Sequence, residues 1–169
     1  EHIGVTGGEP TMREDLPDIY EAIIDAIPNI KGVSTITNCI KENDVKDRIE
    51  KVAQVCQKHK KPFSMMVSLD GFGEVHDKIR GREGNFKSAI NIINHFKERG
   101  IEVSTGSTIS KDNLWEIDEM LDYMKKNSIY GRFRVAEFIK RLYNENKSSV
   151  IRNFDDEEAY HLILFFYKL

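Results

Sequence analysis

The segment Gly4 to Met12, GVTGGEPTM, sets two adjacent glycines, a carboxylate and a proline directly behind a short apolar run. Consecutive glycines let backbone groups face a ligand with no side chain in the way. Glu9 then offers carboxylate oxygens to an ammonium group, and Pro10 stiffens the approach. The same residues also suit a plain glycine-rich turn carrying a solvated glutamate, so the segment taken alone leaves both readings open. It is not a phosphate loop, because GxxxxGK[ST] is missing, and it is not a GxGxxG dinucleotide turn.

A second polar stretch, SLDGFGEVHDKIRGREGNF from Ser68 to Phe86, forms a glycine-punctuated connection of about 16 residues between a predicted strand and a predicted helix. Connections that long inside α/β domains are often functional. Ser68 suits a ribose hydroxyl, Asp70 can accept from a ligand or orient the loop, and Arg80 can clamp a carboxylate as a bidentate donor. The competing reading makes Asp70 an Asx turn before Gly71 and Arg80 a surface residue. His76 has no histidine or cysteine partner at metal-ligand spacing, so it is expected to sit at the surface or anchor the loop. His2, His59, His95 and His161 are scattered, and neither HExxH nor GxSxG occurs. Cys39 and Cys56 fit no disulfide framework and no zinc spacing; Cys56 reads as helix core, and the chain as intracellular.

Positioning these residues requires a repeated scaffold, and the sequence supplies one with a period of roughly 30 to 35 residues. HIGVT (His2 to Thr6), GVSTIT (Gly32 to Thr37), FSMMVSL (Phe63 to Leu69), IEVSTGST (Ile101 to Thr108) and YGRFRV (Tyr130 to Val135) read as strands. Between them lie four helical stripes: Leu16, Ile19, Ile23, Ile27; Val45, Ile49, Val52, Cys56; Phe86, Ile90, Ile93, Phe96; and Leu114, Ile117, Leu121, Met124. Asp15 is expected to cap the first helix, Gly100 to end the third, and Ser110 or Asp112 to begin the fourth. A further helix is predicted over Ala136 to Glu145, and another behind Asp155 and Asp156. Met65 and Met66 read as core, and the alternation of Arg132 and Arg134 with Phe133 as the two faces of a strand.

Alternating βα units imply a parallel sheet with right-handed crossovers, and the regular spacing leans toward barrel geometry. Both barrels and doubly wound sheets bind ligands beyond the carboxyl ends of their strands. Those ends carry Gly7, Gly8, Glu9 and Pro10, then Asn38, then Ser68 and Asp70, then Ser107 and Thr108, with Glu137 behind the fifth. The chain is 169 residues with a formal net charge of -3, which fits one domain and gives no long-range attraction for nucleic acid. No apolar run approaches the roughly 20 residues of a membrane span. No linker composition marks an internal boundary.

Taken together, VTGGEPTMREDLPDIYEAI, TITNC and VSLDGFGEVHDKIRGREGNFKSAINIINHFKERGIEV resemble the second, third and fourth βα units of the radical S-adenosylmethionine (radical SAM) enzymes. The likeness runs from Gly4 to about Val135, and the last stretch is similar to the peptide-modifying and sulfatase-maturing members. It implies an α/β fold: a partial TIM-like (β/α)6 barrel, present here as its second to sixth strands in a parallel sheet with outer helices. It further implies that Gly7, Gly8, Glu9 and Pro10 meet the methionine amino group, that Asn38, Ser68 and Asp70 line the site, and that Arg80 meets the carboxylate. Ser107 and Val135 would lie near the adenine.

The resemblance also implies two cofactors, S-adenosylmethionine and a [4Fe-4S] cluster, and an electron donor such as flavodoxin or ferredoxin. It points to a small-molecule or peptide substrate and a cytoplasmic setting. Family members bind the cluster with CxxxCxxC upstream of GGEP, and this sequence has no such motif. The expectation is therefore that residues 1–169 form one radical SAM core domain, incomplete at its amino end, with no metal ligand and no residue assigned the redox step. A cluster-free barrel that binds a ligand or a protein is the alternative.

Overall fold

The computed structural model describes residues 1–136 and 153–169. Five strands form one parallel sheet in chain order: β1 (His2–Val5), β2 (Gly32–Thr37), β3 (Phe63–Ser68), β4 (Glu102–Ile109) and β5 (Gly131–Val135). Helices α1 (Leu16–Ala26), α2 (Glu42–Lys58), α3 (Glu74–Arg80), α4 (Asn85–Glu98), α5 (Ile117–Lys126) and α6 (Asp156–Lys168) flank it. All five strands fall where the branched and aromatic runs place them. The helix expected from Ala136, and Glu137 with it, lies outside the described residues apart from Ala136 itself.

The chain divides into two compact units, the first Glu1–Ser68 with Lys87–Thr105 and the second Leu69–Phe86 with Gly106–Leu169. Each is built from separated stretches of sequence, so no linker composition announces either. In the first unit, β1 pairs with β2 from His2↔Gly32 to Val5↔Thr35, and β2 with β3 from Val33↔Phe63 to Thr37↔Val67. The core gathers Leu16, Tyr20, Ile24, Ile30, Val33, Val52 and Cys56. Burial of each large aliphatic side chain contributes about 1.5–3 kcal/mol.

The α2 stripe is buried as its spacing requires, at Val45, Ile49, Val52 and Cys56. The α1 stripe is turned from the expected one, burying Leu16, Tyr20 and Ile24 while Ile19, Ile23 and Ile27 are only half-buried. Tyr20 decides this rotation. Its ring meets Phe63 edge-on at 6.0 Å, and its hydroxyl donates to Ser34 O at 2.7 Å, so an aromatic with a polar tip is satisfied inside the core. Burial pushes that hydroxyl up to about 12 and the Cys56 thiol up to about 11.

Two predicted helix starts are corrected. Asp15 stands at the amino end of α1 but makes no capping bond, because its carboxylate pairs with Arg13 at 2.6 Å. Ser110 and Asp112 lie in a turn centred on Asn113, and helical geometry begins only at Leu114, first as a 3-10 turn and then as α5. Gly100 does end α4: its φ is +73°, and Ile101 N donates to Phe96 O at 3.0 Å.

The second unit packs Ile109, Leu114, Ile117, Leu121 and Phe165, with Phe133, Phe154 and Leu162 against them. Phe165 and Phe133 meet edge-on at 5.0 Å, which seats α6 on β5. Asp155 and Glu158 close a reciprocal capping box on α6. The long connection after β3 is not structureless, because it contains α3. A seven-residue helix with two apolar residues, Val75 and Ile79, gives almost no periodic signal. Gly81 at φ +64° ends α3, and Asp77 then accepts from Gly84 N at 2.6 Å and Phe86 N at 2.7 Å, which turns the chain into α4.

His76 holds this connection from inside. It is fully buried, and its Nδ1 accepts from Asp70 N at 3.0 Å while Nε2 lies 3.0 Å from Asn85 Oδ1. An acceptor at Nδ1 requires the neutral tautomer with its proton on Nε2, so Nε2 donates to Asn85. The loop-anchoring reading of this histidine holds. Gly71 is packed just as closely: a Cβ there would meet Val75 Cγ1 at 2.9 Å and His76 N at 3.0 Å.

Gly71→Ala should therefore lower stability by about 1–3 kcal/mol in urea titration, whereas Gly7→Ala, where a Cβ meets nothing within 4 Å, should stay within about 0.5 kcal/mol. Equal effects at the two positions would contradict this packing. A second expectation concerns pH. Burial, aided by the Arg80 charge, holds the His76 imidazole below its ordinary value of 6.5. The unfolded chain binds this proton more readily, so the stability it contributes is complete above about pH 6.5 and declines as pH falls below that value. The stability difference between wild type and His76→Gln should be largest above about pH 6.5 and shrink on acidification by at most about 1.4 kcal/mol per pH unit. A difference that stays constant down to about pH 5 would rule this out.

Candidate functional site

In the first unit, the turn after β1 is organised by the Glu9 carboxylate. Oε1 accepts from Thr11 N at 3.2 Å and from Thr11 Oγ1 at 2.6 Å, capping the 3-10 turn Pro10–Met12. Oε2 accepts from Asn38 N at 2.6 Å, which fastens this turn to the end of β2. A carboxylate offers about four acceptor sites, so three internal donors leave capacity for one more. Glu9 is half-buried and Thr11 fully buried, so the anion is held rather than loosely solvated.

Asn38 folds its own side chain back, with Oδ1 accepting from Ile40 N at 3.0 Å. Cys39 follows at φ +59°, a left-handed conformation that non-glycine residues seldom take. A glycine would take this geometry without strain. Thr37 Oγ1 accepts from Cys39 N and Ser88 Oγ donates to Cys39 O, so local bonds hold the strained residue. Gly7 and Gly8 have open space where a Cβ would stand and no positive φ, so neither packing nor backbone conformation demands glycine there. That leaves room against exposed backbone, as a ligand would need. Ser68 closes β3 and is 9% exposed.

The second unit holds the denser polar group, centred on Asp70, which is 5% exposed. Its Oδ1 accepts from Thr108 N at 2.8 Å, and its Oδ2 lies 2.5 Å from Arg80 Nη2. Its backbone N–H donates to His76, and its carbonyl accepts from Asn113 Nδ2 at 2.6 Å. Asn113 also donates to Thr108 O at 2.8 Å and accepts from Ser110 N at 2.7 Å, so one buried amide ties the β3 connection to the end of β4. The Arg80 side chain is one quarter exposed, and its buried Nε has no partner among the described residues.

Ser107 is 2% exposed and donates its hydroxyl to Leu69 O at 2.5 Å. Val135 ends β5 half-buried, beside Arg134, whose Nε donates to Thr108 Oγ1 at 3.2 Å. The structure therefore gathers Asp70, Arg80, Ser107 and Thr108 in the second unit, and Glu9, Pro10 and Asn38 in the first. Asn113 and Thr11 were missed by sequence reasoning. An SKDN turn and a Thr two places after Glu9 were the only signals, and both occur in ordinary turns.

The described residues contain no group of three or more histidine, cysteine or acidic side chains able to hold a metal ion. Cys39 and Cys56 are both fully buried, and Cys56 belongs to the helix core, so this pair does not fit an iron–sulfur cluster. A groove of about 520 Å³ in the first unit, lined by Glu50, Cys56, Lys61, Phe63 and Arg99, contains none of the predicted residues. It lies near the start of β3 rather than at a strand's carboxyl end, where this architecture places ligands.

The Radical SAM superfamily model matches residues 1–124. Fe-coproporphyrin III synthase of Methanosarcina barkeri (strain Fusaro / DSM 804) is 32% identical over 124 residues, covering 73% of this chain and 29% of its own length. The sporulation killing factor maturation protein SkfB of Bacillus subtilis (strain 168) is 28% identical over 120 residues, covering 71% and 27%. This chain thus spans less than one third of the length of these relatives. Among solved structures, Streptococcus suis SuiB superposes with a TM-score of 0.67 at 18% identity, over 99% of this chain and 36% of that one. Native anSMEcpe with bound AdoMet and Cp18Cys peptide gives a TM-score of 0.59 at 20% identity, over 79% and 37%. These structures share the fold, and the family match over residues 1–124 carries the assignment: the chain belongs to the radical SAM superfamily.

Proposed function

We propose that this chain is the S-adenosylmethionine-binding part of a radical SAM iron–sulfur enzyme that acts by hydrogen abstraction on a peptide or protein substrate. The observation that carries the reading is the family match over residues 1–124, which spans every predicted site residue except Val135. Bound S-adenosylmethionine would supply the 5'-deoxyadenosyl radical. The chain's own residues bind and orient that cofactor and perform no redox step.

In this reading the open backbone at Gly7 and Gly8, with Pro10 and the remaining acceptor capacity of Glu9, receives the methionine ammonium. Arg80 receives its carboxylate. Ser68 and Asn38 lie toward the ribose, and Ser107 and Val135 toward the adenine. Residues 1–169 belong to one core domain, the ligands of the [4Fe-4S] cluster come from a segment outside this sequence, and a flavodoxin or ferredoxin supplies the electron. The setting is cytoplasmic; no described helix is long and apolar enough to cross a membrane. A peptide substrate is supported by the relatives, since SkfB is named for maturing a killing factor and anSMEcpe is seen with a peptide.

Glu9→Gln should weaken S-adenosylmethionine binding to the intact protein roughly ten- to hundredfold in calorimetry, the scale of one charge-assisted hydrogen bond. Thr11→Val, which keeps the charge and removes one internal donor, should lower stability by about 1 kcal/mol and leave affinity within about threefold. Identical heats for wild type and Glu9→Gln would exclude the ammonium contact. The intact protein, reconstituted anaerobically with iron and sulfide and then reduced, should convert S-adenosylmethionine to 5'-deoxyadenosine. An intact protein that takes up no cluster and forms no 5'-deoxyadenosine would favour the cluster-free binding-module alternative.

A further inference from the structure

The resemblance assigns Asp70 to the ligand, yet its carboxylate is turned inward. Oδ1 is held by Thr108 N–H and Oδ2 by Arg80 Nη2, at 5% exposure of the residue. The backbone on which it stands is fixed on both sides, by His76 at its N–H and by Asn113 at its carbonyl. Arg80, by contrast, is one quarter exposed; its Nη2 lies 2.5 Å from Asp70 Oδ2, and its buried Nε has no partner among the described residues. A guanidinium has five donors in a fixed fork, so pairing one corner with a buried carboxylate fixes the plane of the fork and leaves the other corner for a second anion.

We propose that Asp70 is a positioning residue: it holds the Arg80 guanidinium for the ligand carboxylate and does not itself touch the ligand. This rests on the reading that Arg80 receives that carboxylate. Preorganisation is the physical gain, since a free arginine would lose rotamer freedom on binding and this one has already lost it. His76 and Asn113 act one step further back, fixing the chain that carries Asp70. Arg80 sits on the last turn of α3, directly before the left-handed Gly81, so its backbone is set independently of the ligand.

The test compares two ligands on the intact protein: S-adenosylmethionine and its decarboxylated analogue, which keeps the sulfonium, ammonium, ribose and adenine. Asp70→Asn should weaken S-adenosylmethionine roughly tenfold and change the analogue less than about twofold. Arg80→Met should show the same selectivity, and the double variant should be no weaker than Arg80→Met alone, because Asp70 acts through Arg80. Asp70→Glu, which keeps the charge but moves it by one methylene, guards against a folding failure in Asp70→Asn and should show the same selective loss. Equal losses of both ligands in the Asp70 variants, with Arg80→Met still selective, would overturn the positioning role and leave the Arg80 reading intact. An Arg80→Met protein that binds both ligands as wild type does would overturn both.

Discussion

Four hydrogen-bonding groups of one buried residue, Asp70, bind together the parts of the chain that must agree for the second unit to present a site. Its carboxylate reaches the backbone of β4 and the guanidinium of α3, and its peptide groups reach His76 and Asn113. Removing one member of such a buried pair strands the other, which typically costs about 3–5 kcal/mol. The arrangement therefore specifies a conformation more than it adds stability. Satisfying all four hydrogen-bonding groups of Asp70 leaves few alternative geometries to the connection from Ser68 to Phe86.

Glu9 does comparable work in the first unit with fewer bonds. It caps its own turn through Thr11 and fixes that turn to β2 through Asn38 N. Beside it, Gly7 and Gly8 leave backbone bare. Rigid acid and open backbone are complementary: the carboxylate cannot swing away, and the space next to it is not filled by the protein. Both groups stand at carboxyl ends of strands, where a parallel sheet leaves backbone donors and short loops facing outward.

Much of this was written in the sequence, for identifiable reasons. Strands such as GVSTIT are legible through their branched residues, and helix α2 through the stripe Val45, Ile49, Val52 and Cys56, which is the face it buries. Helix α3 was hidden because seven residues give too few repeats, and its limits are set by glycines at positive φ rather than by apolar spacing. The α1 face differs from the expected stripe because Tyr20, whose hydroxyl finds Ser34 O, is buried with Leu16 and Ile24 while Ile19, Ile23 and Ile27 are only half-buried. The strand-end residues were legible through resemblance, but their partners were not. That Asp70 faces Arg80 and Thr108, that His76 supports it, and that Asn113 joins the network depend on contacts between residues 3 to 43 positions apart in sequence.

The central claim is that the four bonds of Asp70 are in place before any ligand arrives. Amide hydrogen exchange resolved at single residues by NMR tests it most directly, because the N–H groups of Asp70 and Thr108 are donated to His76 Nδ1 and to the Asp70 carboxylate. The account predicts that in the ligand-free protein both amides exchange as slowly as those of the neighbouring strands, and that saturating S-adenosylmethionine leaves their protection nearly unchanged. Exchange at loop-like rates without ligand, with protection appearing only on binding, would contradict it.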